Sequence, residues 1–470
     1  MQQSKLINLL RQLDKRQLAR VGEAVLSPYF NKSKDIVRFY QYVSRFAPLF
    51  NQPELSKTSV LAHLKLSTPV DEHRLQYLMS DLVMLVENVL LLEHVSRNEP
   101  ARLISLAQTF AEIGLPDRTR QVLTKLGEFW KNTPIQWPER LAMEFAAAKI
   151  WIALADRDHR TFDPTLQSAS DHLSAYFLVE KLQLLTAMTN VEQVLKVQYK
   201  QDWEIENIES IASKSDHPLV QLWLLAFRLS RYDQPEDYRS FKQILFNQTE
   251  KLRKGDLRHL TAAALNFCTR RINRDADEHY YGEYIGLYKI LINNELILEN
   301  GYISPWLYKN IVTAGLKTNE LAWTRQFIES FRRNLPADFA ESMYAYNLGH
   351  LFYHEKKHTD AQQALARVEF RDPLLSISAR SLLIKIYVET GQDDLLFAAL
   401  EAARVWLLRN QAVTPGLRQQ FQKFVETTGK MARLLPRDHQ AATRLLENLP
   451  PSTNILHRDW LAGQLNSLQK

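Results

Sequence analysis

Five consecutive residues, His354, Glu355, Lys356, Lys357 and His358, fit the pattern H-E-x-x-H, in which two histidines on one helical face hold zinc while the glutamate activates a water molecule. Glu389 is the candidate third ligand, with Asp393 four residues beyond it. Two physical arguments oppose this chemistry. Lys356 and Lys357 would stand beside a dication, and Thr359, Asp360 and Ala361 read as the start of a new helix rather than the continuation of an old one. The longer zinc-protease pattern also lapses, with Ala361 and Ala364 where a glycine and a histidine belong. The sequence therefore predicts no metal, no cofactor and no enzyme. A zinc-dependent hydrolase using His354, His358 and Glu389 is kept as an alternative.

A second set of residues raises nucleic acid. Lys251, Arg253, Lys254, Arg258, Arg270, Arg271 and Arg274 gather ahead of Tyr280 and Tyr281, and cations among aromatic rings can hold a single strand by phosphate contact and stacking. At about 100 degrees per residue, Arg258 and Arg271 do not share a stripe of their helix. Asp275, Asp277 and Glu278 neutralise its end. With His279 these acids could also be named as metal ligands, but an acidic helix start explains them. A short helix around Val60 to Leu64, a turn and a long helix from 71 to 94 have the order of a DNA-reading helix-turn-helix. The long helix, however, is a core element by its Leu75, Leu78, Met79, Leu82, Leu85, Val86 and Val89. Its polar face carries Asp81, Glu87 and Glu93, where base and phosphate contacts need Arg, Lys, Asn or Gln. Nucleic acid is thus the alternative partner, not the expected one. No phosphate-cradling Gly-rich loop, nucleophile elbow or paired CxxC is present.

What remains must be positioned by helices. The chain has 470 residues, beyond a single compact core, and only 13 glycines, a scarcity that favours long helices over turn-rich sheets. A net charge of +6 is small for this length. The single cysteine, Cys268, excludes an internal disulfide, suits a reducing compartment, and reads as a buried structural thiol. The N-terminus meets Arg11, Asp14, Lys15 and Arg16 too early for a signal peptide, and the most apolar run, Leu82 to Leu92, contains Glu87 and Asn88 and is short for a membrane span. The expectation is a cytoplasmic protein with no membrane segment.

Apolar residues recur at a period near 3.6 along the chain, with prolines at 116, 134, 138, 164, 218 and 235 as punctuation and no alternating strand between them. Helices are expected over 101–113, 117–131, 138–155, 165–200, 203–213, 217–231, 236–254, 257–273, 277–299, 416–430, 438–447 and 454–468. The expected organisation is an N-terminal helical domain over 1–97, an irregular helical region over 98–300 and paired helical repeats over 301–470.

The repeats are clearest from Ser342 to Leu408. Leu348, Gly349 and Phe352 on one helix are followed by Ala361, Leu365 and Val368 on the next, with Pro373 closing the unit. About 35 residues on, Leu383, Ile384, Tyr387, Gly391, Leu396, Leu400 and Ala403 repeat the pattern, with Gly391 where a helix end needs a left-handed residue. Tyr308, Ile311, Val312, Ile328, Phe331 and Pro336 fit the same frame, although Gly315 stands where a large residue is expected. Leu103, Leu106, Ala107, Phe110, Gly114, Leu123 and Leu126 are a more distant echo.

This spacing resembles tetratricopeptide repeats. The resemblance implies an all-α, elongated right-handed solenoid of stacked antiparallel helix pairs, whose first helices line a concave face that accepts a protein or peptide partner. On that frame the lining residues are Lys309, Thr313, Tyr346, Asn347, His350, Tyr353 and Lys385. Some such repeats grip a terminal carboxylate, but Thr313, Ser378 and Leu382 replace residues of that set, which leaves only Lys309 and Asn347 matching it. The N-terminal segment and the block of Tyr280, Tyr281, Tyr284, Tyr288, Trp306 and Tyr308 are also similar to uncharacterised all-helical proteins of Bacteroidota, which implies a bacterial cytoplasm and no mechanism.

Overall fold

The structure, a computed structural model, describes residues 1–65, 69–133, 137–154, 162–195, 197–200, 205–275, 277–368, 372–434, 439–452 and 454–468. Among these residues the chain is all-helical and has no strand; a single antiparallel bridge joins Glu299 and Tyr302. Two compact units divide it, Met1–Lys181 and Leu182–Lys470. The expected boundaries near 97 and 300 fall inside these units.

The first unit opens with α1 (Lys5–Arg11), α2 (Lys15–Leu26), α3 (Lys34–Val43), α4 (Lys57–His63) and the long α5 (Pro69–Arg97). Ser4, Asp14, Ser33 and Ser56 each cap a short helix by accepting from the backbone N–H three residues on, a device that contributes about 1 kcal/mol per helix. The apolar rows of the four short helices meet Leu75, Leu78, Leu82, Val86 and Val89 of α5 in one core. Over His73–Arg97, α5 is long and apolar enough to cross a membrane by length and composition alone, so the sequence expectation overlooked it. Its core-facing row is packed within this unit. Glu93, expected on its polar face, is instead buried, with Arg20 at 2.9 Å and Arg97 at 3.2 Å neutralising it. The expected turn before α5 lies partly outside the described residues.

Next come α6 (Glu99–Glu112), α7 (Pro116–Asn132), α8 (Pro138–Leu154) and α9 (Pro164–Val194). Leu103, Ala107, Val122, Leu123, Leu126, Trp130 and Ile150 form a second core, distinct from that of α1–α5. The helix expected to run to 200 stops at Val194. Its buried row gives out after Thr189, and Gln193 turns to donate to the carbonyl of Ser230.

The second unit continues with α10 (Ile205–Ser213), α11 (Pro218–Arg231), α12 (Pro235–Gln248), α13 (Lys254–Asp275), α14 (His279–Asn293), α15 (Pro305–Lys317), α16 (Leu321–Phe331), α17 (Ala337–His354), α18 (His358–Leu365), α19 (Pro373–Glu389), α20 (Asp393–Arg409), α21 (Pro415–Met431), α22 (His439–Glu447) and α23 (Arg458–Ser467). Proline stands in the first turn of α11, α12, α15, α19 and α21, where its missing N–H costs nothing. α14 ends six residues short of the expected 299, because Glu295 takes a left-handed conformation (φ 58°). Its packing on α15 leaves no interruption near residue 300.

From α15 onward the packing repeats. α15 rests on α16 and α17, α16 on α17, α17 on α18 and α19, α18 on α19, and α19 on α20. The helices α15, α17 and α19 end alike. Asn319, Lys356 and Gly391 adopt φ of 59°, 62° and 64°, and the next N–H, of Glu320, Lys357 and Gln392, donates back to Gly315, Phe352 and Tyr387 at 2.9, 2.8 and 3.0 Å. This closure satisfies carbonyls that a helix end would otherwise leave open. Gly114 ends α6 in the same way, with Leu115 donating to Phe110 at 2.8 Å. At the same end of the stack each element reaches the following turn: Lys289 to Glu320 at 2.7 Å, Arg325 to both oxygens of Glu355 at 2.7 Å, and Gln362 to Gln392 at 3.3 Å.

Candidate binding face

The turn closure at Lys356 decides the zinc motif. His354 is the last residue of α17, Glu355 caps it, Lys356 is left-handed and His358 opens α18. The two histidines therefore belong to different helices and do not share a face. Glu355 is occupied by Arg325 and by Lys357 at 2.8 Å, and Glu389 by the partners described below. Among the described residues no group of three or more His, Cys, Asp and Glu is gathered as a metal ion would need.

The basic run of α13 resolves into ion pairs. Arg270, Arg271 and Arg274 converge on Asp233 at 3.2, 3.6 and 3.0 Å, and Asp275 takes Arg271 and Arg274. Arg253, Lys254 and Arg258 face Asp256, Glu295 and Glu299. Arg270, Arg271 and Arg274 tie α13 to the turn at Asp233, and Lys254 and Arg258 tie it to the segment after α14.

The first helices of the pairs present a different surface. On α17, Tyr346, His350 and Tyr353 are spaced to lie along one face, yet the structure separates them by depth. Tyr346 is 2% exposed, its hydroxyl bonded to Ser378 Oγ at 2.6 Å across to α19 and its pKa pushed up to about 12 by burial. Asn347 is 1% exposed and spends its amide on the carbonyl of Met343 at 2.8 Å. Both expectations of an accessible contact are therefore corrected: midway along α17 these two side chains are buried, and on this face His350 and Tyr353 are the half-exposed ones. Ser378 and Leu382 are also unavailable, the first bonded to Tyr346 and the second buried.

Lys309, His350, Tyr353 and Lys385 remain partly exposed and come together. The His350 ring lies 4.5 Å from that of Tyr346, and its Nε2 is shielded from water without a hydrogen-bond partner among the described residues. Burial first, then the charges of His354, Lys385, Lys309 and His457, push its pKa down to about 3, so the ring is neutral. Burial likewise pushes Lys385 down to about 8, opposed by Glu389 and aided by Lys317, and lowers Lys309, opposed by Asp372. His354 and His457 are lowered by the same crowding although both stay open to water. His350 is thus half-exposed as a whole while its Nε2 is shielded.

α23 joins this cluster through Trp460, a contact that sequence reasoning did not anticipate. Trp460 Nε1 donates to Glu389 Oε1 at 2.8 Å, Tyr353 Oη donates to the same oxygen at 2.5 Å, and Lys356 approaches Oε2 at 3.9 Å. Lys385 Nζ lies 5.5 Å from the Trp460 ring. The loop before Trp460 runs longer than expected: the helix expected from 454 begins at Arg458, since His457 is left-handed (φ 55°) and rests on Phe424 at 5.1 Å. Nothing in the local sequence around 460 signals a partner 71 residues away.

Two hollows lie elsewhere in the unit. One of about 1020 Å³ runs along α20 by Arg380, Glu401, Trp406 and Arg409; one of about 670 Å³ lies by Tyr238, Lys242, Phe246, Tyr280 and Glu283. None of their polar lining atoms is buried without a partner, so neither shows the unmet hydrogen-bonding demand found at His350. Compared with known proteins, the chain matches no family model, no curated protein and no solved structure.

Proposed function

We propose that this chain is a non-catalytic protein-interaction scaffold in which α15–α20 form a tetratricopeptide-like stack and the first helix of each pair takes an extended segment of a partner protein. The order of packing supports the stack, since each first helix touches its own second helix and the next first helix, the connectivity of quasi-one-dimensional repeats. The recurring left-handed closures at Asn319, Lys356 and Gly391 supply a common unit length. The observation that carries binding is the half-buried cluster of Lys309, His350, Tyr353, Lys385 and Trp460, in which Nε2 of His350 has no hydrogen-bond partner among the described residues. Amphipathic rings of this kind give large contact area with few rotamers to freeze.

A photo-crosslinking residue placed at Thr313, on the proposed face, and in a second variant at the exposed Glu401, on α20, tests the assignment in extract of the native cell. A discrete adduct at Thr313 that is missing at Glu401 is the expected result. Equal labelling at both sites, or none at Thr313, removes the face as the binding surface.

A further inference from the structure

The charges on this face select among peptides. Every element around it contributes: Lys309 and Lys317 from α15, His350, His354 and Lys356 from α17 and its cap, Lys385 and Glu389 from α19, His457 ahead of α23, and Asp372 near Lys309. Several are matched within the chain. Lys317 pairs with Glu278 at 2.5 Å, and Glu389 is shared by Tyr353, Trp460 and Lys356. Lys309 and Lys385 have no carboxylate within ion-pair distance among the described residues, and the unmatched Nε2 of His350 lies near both. Asp372 acts on Lys309 and Glu389 on Lys385 without closing an ion pair, and two partly desolvated ammonium groups so placed beside an unmatched ring nitrogen favour an added anion.

We infer that the segment bound here, given the peptide-binding face proposed above, is acidic and extended, with two carboxylate side chains two residues apart, one reaching Lys309 and the other Lys385. The spacing follows from packing. α15 and α19 flank α17, and packed helices lie about 8–10 Å apart, so their axes are roughly 16–20 Å apart. Each lysine reaches inward by about 5–6 Å, which leaves the two ammonium groups roughly 4–10 Å apart. Alternate side chains of an extended strand are separated by about 6.7 Å. In its Nε2–H tautomer, His350 donates to one of the bound carboxylates and remains neutral.

Short fluorescent peptides with both ends blocked, carrying Glu-x-Glu, Gln-x-Gln or Lys-x-Lys between randomised flanks, test this by anisotropy against the full chain, alongside an unblocked Gln-x-Gln peptide with a free C-terminus. The blocked Glu-x-Glu pool is expected to bind at least about tenfold more tightly than the other pools. Lys309→Gln and Lys385→Gln are each expected to weaken it by about fivefold or more, and added salt to weaken it further. Unchanged helicity by circular dichroism shows that the variants fold. Equal binding of blocked Glu and Gln pools, lost in Tyr353→Ala, overturns the acidic preference and leaves the peptide face standing. Tighter binding of the free C-terminus than of the blocked Glu pool overturns it in favour of a terminal carboxylate. No difference between the wild-type chain and Tyr353→Ala for any pool removes the face and the inference together.

Discussion

Leu365 of α18 presses so closely on Gly349 of α17 that a β-carbon added to the glycine would come within 2.8 Å of the leucine Cγ. Gly315 stands in the same relation to α16, where a β-carbon would fall on the Thr324 hydroxyl, itself bonded to the carbonyl of Glu320 at 2.8 Å. Alanine at either position is expected to destabilise the chain, by about 1–2 kcal/mol at Gly349, because overpacking of about 1–3 kcal/mol outweighs the helix propensity gained. Chemical denaturation measures it. At Gly315 the loss should be larger and partly relieved by Thr324→Ala, a non-additive pair.

The shared left-handed closures predict opposite signs at equivalent places. Lys356→Gly is expected to stabilise the chain by about 1 kcal/mol, since a β-carbon is strained at φ 62°, whereas Gly391→Ala at φ 64° is expected to cost about the same. Equal effects in the two variants would mean that the turns are not equivalent in energy.

Acid should weaken the fold through His350. Its pKa is about 3 in the folded chain against an ordinary 6.5, so between these values the unfolded chain binds the extra proton. The stability it permits is complete above about pH 6.5 and declines as pH falls toward 3. His350→Gln is expected to flatten the stability profile in that window. Lys385 acts at the other end: with a folded pKa of about 8 against 10.5, stability should rise between those values, and the rise should vanish in Lys385→Met.

Cys268 is fully buried, with its Sγ 3.5 Å from Tyr238 Oη, and burial holds its thiol up at about 12. Thiol reagents are expected to label it only as fast as the unit opens. Labelling in the native state as fast as in denaturant would contradict this placement.

The helical character and most helix ends were legible because they rest on local physics. Apolar periodicity marked the helices, prolines marked their starts, and Gly391 marked a left-handed end that the structure places at φ 64°. Lys356 and Asn319 perform the same closure without a glycine to announce it, which is why H-E-x-x-H could be read as one helix at all. Burial was the harder matter. Tyr346 and Tyr353 have the same periodic position and both bond to α19, through Ser378 and Glu389, yet the first is buried and the second half-exposed. The Glu389–Trp460 bond joins positions 71 residues apart, and no periodicity within either helix encodes a contact of that range.

The neighbour-only packing of α15–α20 carries a consequence for how such a chain changes over generations. Each helix there rests on those one or two places away, and the closures at Asn319, Lys356 and Gly391 recur at intervals of one hairpin. A copied or deleted hairpin would meet the same kind of surface on either side as the one it joined or replaced. On the proposed reading of α15–α20 as repeats, length could change in whole hairpins, whereas α23 is joined to α19 by the long-range bond of Trp460 to Glu389.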